Sequence, residues 1–221
     1  GANTRPADPS RLRSWRPYVE DARAYLDGEK RESWIVAGHS LGAATALLAS
    51  RGRNDVRDLR LVEPVIPPSW LAVAAATPLW RLTADRIPIV RQAARRRNGW
   101  PDRDAVLASY EAKPIFKAWA PGVLEDYLDD GLVGDETGAR LACDPEWEAA
   151  TFAAQGNDVW AAIRAAPAPL SVLAADHPSS TVSPAARARL EKLGAGMKLM
   201  AGVSHLAPME KPAGIAAFLQ G

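Results

Sequence analysis

The sequence predicts an α/β protein in which helices flank a parallel sheet, and three observations lead to this prediction. An apolar run over residues 34–37 leads directly into a Gly-x-Ser-x-Gly turn, and an Ala- and Leu-rich helical segment follows that turn. A second strand pattern follows the helix, which gives the strand, helix and strand unit of a parallel sheet. A long stretch of helical character, residues 64–167, then precedes the next strand pattern, which begins at Leu170.

The elements around the turn follow from local patterns. Residues 1–14 are rich in Pro, Arg, Asp and Ser and predict a loop. A helix that ends at Gly28 is predicted by apolar residues at helical spacing, namely Trp15, Tyr18, Val19, Ala22 and Leu26. After the turn and its helix, residues 51–54 form a polar turn. A second strand over residues 59–62 then ends at Glu63.

Residues 64–167 differ in character from the rest of the chain, because they contain many prolines and most of the tryptophans. Residues 121–131 predict a helix with Pro in its first turn and Gly at its end, and Asn157 with Asp158 predicts a helix start. No strand pattern is evident before Leu170. A helical insertion between two core strands predicts a lid over a site; the alternative is a helical subdomain with tryptophans in its core. The predicted ranges are 1–63 for the first part of the core, 64–167 for the cap or lid, and 168–221 for the second part of the core.

The core pattern returns after the insertion. Its predicted elements are a strand over 169–175, a loop from Asp176, a helix over 184–193 closed by Gly194, a strand over 197–201, a loop over 202–205 and a last helix over 212–219.

Composition excludes several classes of protein. The formal net charge of +1 is too small to give the chain an electrostatic potential that favours nucleic acid or a membrane surface as a partner. The single cysteine, Cys143, excludes an internal disulfide and fits a reducing compartment, so we expect a cytoplasmic protein. The apolar runs are too short to span a bilayer.

Metal and phosphate sites have no support in the sequence. The histidines are scattered and no cysteine pair exists, so we expect no metal and no cofactor. The turn at 38–42 lacks the Lys-Ser/Thr ending of a phosphate loop. A basic run, Arg91 with Arg95, Arg96 and Arg97, predicts a solvated face of the lid rather than a contact for nucleic acid.

Ser40, at the centre of the Gly-x-Ser-x-Gly turn, is the candidate nucleophile. A sharp turn between a strand and a helix strains the backbone of this serine, so we expect the flanking glycines, Gly38 and Gly42, to prevent clashes. Leu41 and His39 are the residues of the turn that we expect to face the oxyanion and the substrate, the first through its backbone N–H at the helix start. The alternative is a glycine-rich turn with an ordinary capping serine.

A serine nucleophile needs a base, and the sequence offers three histidines. His39 lies within the turn itself, where its side chain points away from that of Ser40. His205 lies in a loop after the last predicted strand, which gives the order of serine first and histidine last. His177 is interpreted as a loop residue next to a candidate acid rather than the base.

Together these features resemble the α/β-hydrolase-fold serine hydrolases, of the lipase, esterase and C–C hydrolase kind. The resemblance extends from about residue 15 to the C-terminus and rests on four matching segments: residues 38–42, 61–64, 170–176 and 204–212. It implies an α/β-hydrolase fold and an acyl transfer in which His205 activates Ser40 toward a small acyl substrate. The alternative is a binding scaffold that kept the pocket and lost turnover.

The acid that orients the histidine has two candidates. The resemblance implies an acid after the penultimate strand, where Asp176 stands, although the family tends to place it two or three residues later. Some relatives, similar to haloalkane dehalogenases, take the acid from the strand that comes after the helix following the Gly-x-Ser-x-Gly turn, which is the position of Glu63. Both remain open at this point, with Asp176 preferred. The alternative is that Asp176 or Glu63 is a structural carboxylate, at a loop or at a strand end respectively.

The resemblance also implies strands before the nucleophile that residues 1–33 do not contain. We therefore expect the N-terminal strands of the fold to be missing, together with the loop that gives the second oxyanion N–H. Loss of one such donor costs about 10²–10³ in kcat. An unpaired edge strand would also favour self-association.

Overall fold

A computed structural model describes residues 8–75, 77–135 and 138–221. These residues divide into two compact units. The first contains residues 15–73 and 156–221, and the second contains residues 74–155 with the described residues before Trp15. Residues 1–7 of the predicted N-terminal loop lie outside the described part, and residues 9–11 form a short 3-10 turn. The prediction that residues 64–167 act as a lid stays a prediction.

Helices outnumber strands along the described chain. In chain order, the elements are α1 (Arg16–Gly28), β1 (Trp34–His39), α2 (Leu41–Ser50), β2 (Val56–Val62), α3 (Ser69–Ala75), α4 (Pro78–Ala84), α5 (Pro88–Ala94), α6 (Arg103–Glu111), α7 (Pro114–Lys117), α8 (Val123–Gly131), β3 (Leu132–Asp135), β4 (Gly138–Leu141), α9 (Pro145–Ala153), α10 (Val159–Arg164), β5 (Leu170–Ala175), α11 (Pro184–Lys192), β6 (Gly196–Met200), α12 (Ala207–Glu210) and α13 (Pro212–Gln220).

A parallel sheet organises the first unit. Its strand order is β1-β2-β5-β6, and all three pairings are parallel. The register places His39 opposite Val62, and Val62 opposite Leu173. The carboxyl ends of the strands therefore meet at one edge of the sheet, where ligand sites of α/β folds lie. The α/β-hydrolase fold predicted from the sequence is thereby confirmed in its sheet and flanking helices.

The core of the first unit lies on both faces of this sheet. Val172 and Leu173 are consecutive residues of β5 that point to opposite faces, and both are fully buried, as expected for strands covered by helices on both sides. On one face, α2 is buried along much of its length because its small alanines allow it to lie close to the strands. Trp15 is also fully buried, and its backbone N–H donates to Oδ1 of Asn157 at 2.8 Å.

The second unit is mainly helical but also contains a hairpin, formed by β3 and β4. Our expectation of no strand between residues 64 and 170 is therefore wrong. The strands are four residues each and carry glycines, so they lack the alternating pattern that identifies a longer strand. The hairpin is extended by a bridge between Trp100 and Ala139, whose backbones exchange two hydrogen bonds of 2.9 Å.

The tryptophans of the insertion have different environments. Trp100 belongs to an apolar cluster of the second unit that also contains Val106, Tyr110, Leu124 and Leu128. Trp160 is buried in the first unit, where α10 packs on α2. Trp70, in contrast, is 67% exposed.

Across the described ranges, no helix is both long enough and apolar enough to cross a membrane.

Candidate active site

The turn between β1 and α2 holds Ser40 in a backbone conformation that is rare for residues other than glycine, with φ +55° and ψ −122°. Such a conformation costs of order 1–3 kcal/mol, so surrounding contacts must hold it in place. Ser40 occupies the N-cap position of α2, but its side chain makes no capping hydrogen bond. The structure therefore differs from the alternative of an ordinary capping serine.

The two glycines of the turn have different roles. A Cβ on Gly38 would lie 2.5 Å from the carbonyl oxygen of Gly42, a distance that real Cβ atoms do not adopt. A Cβ on Gly42 would instead lie in open space. Our expectation that both glycines prevent clashes thus holds for Gly38 and is wrong for Gly42. The reason is that the end of the strand packs directly on the backbone of the first helical turn.

The Ser40 hydroxyl contacts the imidazole of His205. Ser40 Oγ lies 2.9 Å from His205 Nε2, within hydrogen-bond distance, although 165 residues separate them. His205 lies between β6 and α12, at the edge of the sheet where β1 ends. The fold therefore brings together the serine and the histidine that the sequence indicates.

Glu63 contacts the other nitrogen of the same imidazole. His205 Nδ1 lies 3.0 Å from Glu63 Oε2, and the Glu63 side chain is completely buried. Like Ser40, Glu63 has a left-handed backbone, with φ +48°, directly after β2. Because Nδ1 donates to this carboxylate, Nε2 is left as the acceptor that faces the serine.

Several donors surround the buried carboxylate. Oε1 accepts from the Ala175 N–H at 2.6 Å and from the Ser180 hydroxyl at 2.8 Å, and Oε2 accepts from the Thr181 N–H at 2.9 Å. Burial by itself would raise the pKa of Glu63, but the hydrogen bonds from His205, Ala175, Ser180 and Thr181 outweigh it and hold the pKa below its ordinary value. Glu63 is therefore ionised near neutral pH.

Asp176, the acid that we preferred from the sequence, lies elsewhere. Its side chain is 66% exposed, and its Oδ1 is 3.9 Å from Nη1 of Arg187. His177 contacts Ser179 rather than Ser40. Its Nδ1 accepts from the Ser179 N–H at 3.1 Å and lies 2.8 Å from the Ser179 hydroxyl. Of the two candidate acids, the structure places Glu63 against His205.

His39 contacts the loop of the base. Its Nε2 lies 2.8 Å from the carbonyl oxygen of His205, and the two rings are 5.0 Å apart between centroids. The ring nitrogen donates in this contact, because a carbonyl oxygen can only accept. Burial lowers the pKa of His39 below its ordinary value, which favours a neutral ring. The contact with the substrate that we expected of His39 stays a prediction.

The backbone N–H of Leu41 lies at the start of α2, the place where we expected a donor for an oxyanion, and that role stays a prediction. Leu41 is the first residue of α2, so its N–H has no acceptor within the helix. This N–H and the positive end of the helix dipole lie directly after Ser40, where negative charge would develop on a carbonyl oxygen. In the ranges that the structure describes, no group of His, Cys, Asp and Glu residues has a geometry suited to a metal ion.

Sequence reasoning missed the residues that hold these groups in place. The backbone N–H of His205 donates to Ser179 Oγ at 3.1 Å. Ser204 precedes His205 and donates to Glu210 through both its N–H, at 2.6 Å, and its hydroxyl. A Ser-Ser-Thr run at 179–181, close after a strand, was the one available signal, because such a run places several donors in a short loop.

Comparisons with known proteins agree with this fold. The model of a family described as "Alpha/beta hydrolase family" matches residues 1–218. A search of curated proteins gave no significant match.

Several solved structures are similar to the chain. E-2-(acetamidomethylene)succinate hydrolase has 19% sequence identity and a TM-score of 0.73, over 97% of this chain and 77% of that one. The thioesterase domain from the curacin biosynthetic pathway has 13% identity and a TM-score of 0.74, over 94% and 73%. The N-formylmaleamic acid deformylase of Pseudomonas putida has 17% identity and a TM-score of 0.60, over 96% and 74%. At these identities the likeness concerns the fold. The family match over residues 1–218 shows that this chain belongs to the alpha/beta hydrolase family.

Proposed function

We propose that this chain is a serine hydrolase that cleaves a carboxylic ester or a related acyl bond through an acyl-serine intermediate. One observation carries the proposal: Ser40, His205 and Glu63 form a continuous hydrogen-bonded chain with distances of 2.9 and 3.0 Å. This is the arrangement of nucleophile, base and orienting acid that activates a serine.

The proposed reaction begins when His205 Nε2 takes the proton of the Ser40 hydroxyl. Oγ then attacks the carbonyl carbon, and the electron pair of the carbonyl bond moves to its oxygen, which the Leu41 N–H stabilises. The tetrahedral adduct collapses, the leaving group departs with the proton from Nε2, and the acyl group stays on Ser40.

A water molecule completes the proposed cycle. Its proton passes to His205 Nε2 while its oxygen attacks the acyl carbon, and Ser40 departs with that proton. Glu63 stays ionised throughout and stabilises the imidazolium that forms twice in each cycle.

The substrate class rests on the serine nucleophile and on the named activities of similar proteins. A thioesterase and a deformylase share the fold. Both names describe the cleavage of an acyl group from sulfur or nitrogen, so an acyl bond is the common feature. We therefore propose a small-molecule acyl substrate for this chain.

Hydrolysis of p-nitrophenyl acetate by the full chain tests the proposal. We expect turnover above the buffer rate and covalent labelling by a fluorophosphonate, with both lost in Ser40→Ala. Ser69→Ala is the matched control, because Ser69 is an exposed serine of the same unit, and we expect it to retain both activities.

Two results would contradict the proposal. Labelling and turnover that survive in Ser40→Ala would remove Ser40 from the chemistry. A folded chain with neither labelling nor turnover on acetyl, butyryl and thioacetyl substrates would support a binding scaffold instead of an enzyme.

A further inference from the structure

Thr181 contacts Glu63 through both its backbone N–H and its hydroxyl. Its N–H donates to Glu63 Oε2 at 2.9 Å, and its hydroxyl lies 2.9 Å from the backbone oxygen of Glu63. The same hydroxyl lies 3.3 Å from Oε2 and 3.5 Å from His205 Nδ1. A single threonine thus contacts both the backbone and the carboxylate of the proposed acid, next to the imidazole.

The hydroxyl contact is informative because the Glu63 backbone is strained. A hydroxyl carries one hydrogen, and the carbonyl oxygen of Glu63 is the nearest of its acceptors. This bond holds the peptide after a residue with φ +48°, a conformation that surrounding contacts must stabilise. The backbone conformation sets the direction of the Cα–Cβ bond of Glu63, so a bond that stabilises this conformation also bears on where the carboxylate lies.

The loop that carries Thr181 is itself held at both ends. Arg187, in α11, donates from Nη2 to the Ala175 carbonyl at 2.8 Å and from Nε to the Val182 carbonyl at 2.9 Å. One guanidinium therefore ties the residue at the end of β5 to the residue after Thr181. Its planar arrangement of donors allows both bonds at once, which a lysine cannot reproduce.

We infer that Thr181 is a positioning residue for the Glu63–His205 pair, and that its hydroxyl aims the Glu63 carboxylate at Nδ1 of the base. The inference rests on the proposed function, in which this pair activates Ser40. Thr181 itself does not touch the reacting atoms.

Thr181→Val tests the inference in the full chain, because it removes the hydroxyl while keeping the shape of the side chain and the backbone N–H. We expect kcat for p-nitrophenyl acetate to fall about 10-fold with KM unchanged, since a misaimed carboxylate weakens stabilisation of the transition state. Thr181→Ser, which keeps the hydroxyl, restores kcat to within about threefold of the parent. Thr83→Val, which removes a threonine hydroxyl from α4 of the other unit, is the matched control and leaves kcat unchanged.

A double-mutant cycle separates positioning from a general structural effect. If Thr181 acts through Glu63, Thr181→Val lowers kcat in the parent but not in a Glu63→Gln background, because the group that it aims is no longer an acid. Equal losses in both backgrounds would overturn the inference. Should Thr181→Val not accumulate as folded protein, Thr181→Ala replaces it in the same cycle.

The proposed function and this inference fail in different ways. Activity that persists in Ser40→Ala removes the function itself. Activity that is lost in Ser40→Ala and in Glu63→Gln, but is unchanged in Thr181→Val, keeps the function and overturns the inference.

Discussion

At the residue scale, the two strained backbones of the first unit belong to the residues that contact His205. Ser40 and Glu63 have φ values of +55° and +48°, and each follows the end of a strand. Either conformation would be unfavourable in isolation by of order 1–3 kcal/mol. Their occurrence on opposite sides of one imidazole indicates that the folded structure tolerates strain where it presents polar groups.

Substitution of the two candidate acids separates their roles. We expect Glu63→Gln to lower kcat by about 10³–10⁴, because a neutral amide neither fixes the tautomer of His205 nor stabilises the imidazolium. Asp176→Asn is the matched control, since it also replaces a carboxylate by an amide, and it should leave kcat within about twofold. The measurement is steady-state hydrolysis of p-nitrophenyl acetate by both variants. The opposite ranking would return the role to Asp176.

The sequence predicts the contact between Ser40 and His205, but the acid that it favours, Asp176, is not the one that contacts His205. Ser40 lies in a turn whose glycine spacing reports a local geometry, so its position could be predicted from neighbouring residues. The choice between Glu63 and Asp176 depends on which strand end faces His205. That depends on the register of three strands and on a left-handed residue, and neither leaves a pattern in the sequence.

At the element scale, the hairpin of the second unit depends on a glycine. Gly138 begins β4 with φ +133°, and a Cβ there would lie 2.3 Å from the carbonyl oxygen of Trp100. The close approach allows the backbones of Trp100 and Ala139 to pair. A side chain at this position would therefore separate the hairpin from the segment that extends it.

Two alanine substitutions in the same hairpin should differ in their effect on stability. We expect Gly138→Ala to lower the free energy of unfolding by roughly 1–3 kcal/mol, through backbone strain and the clash with Trp100. Gly134→Ala is the control, because a Cβ there would lie 3.6 Å from the nearest atom, the Gly138 oxygen, which is ordinary contact. Urea unfolding followed by tryptophan fluorescence measures both variants, and equal losses would contradict the role assigned to Gly138.

The helices could be predicted from the sequence more readily than the hairpin could. The helix predicted over residues 121–131 is found as α8, but it begins at Val123 after an N-cap at Gly122, so Pro121 precedes the helix rather than lying in its first turn. Asp158 caps α10 through its side chain, as expected of an acidic residue before a helix. These helices have local start and stop signals. The hairpin has none that is strong, because its strands are four residues long and contain glycines. The bridge to Trp100 joins segments about forty residues apart in sequence.

At the scale of the whole molecule, acid should destabilise the fold through one buried group, Glu63, and one partly buried group, His39. Glu63 and His39 both have pKa values below their ordinary values of 4.5 and 6.5. A group with a depressed pKa contributes stability above its unfolded pKa, and that stability is lost as the pH falls toward the folded value. The contribution of His39 therefore begins to decline below about pH 6.5, and that of Glu63 below about pH 4.5.

Measurement of the unfolding free energy against pH tests the loss of stability expected from protonation of His39. Between pH 7 and pH 5 we expect the stability of the parent chain to decrease, with a contribution from His39 no steeper than about 1.4 kcal/mol per pH unit. His39→Gln cannot take up a proton, so its curve should be flatter over this range. A variant curve parallel to that of the parent would show that His39 does not set the dependence. The titratable groups that interact with His39 are His205 and Glu63, and both remain in the variant.

The sheet edge bears on association between molecules. In the described residues β1 is an end strand of the sheet, and Ile35 on it is 40% exposed. An end strand with free backbone groups is a template for pairing. Self-association through this edge stays a prediction.

The bond from His39 to the carbonyl of His205 links two segments that are distant in sequence and close in space. Together with the contacts of Glu63, it means that the proposed reaction centre is held by bonds among residues of a single unit. Residues 74–155 contribute no bond to that arrangement in the described chain. Substitutions that accumulate in residues 74–155 therefore leave those bonds unchanged, and the arrangement of Ser40, His205 and Glu63 depends on the first unit alone.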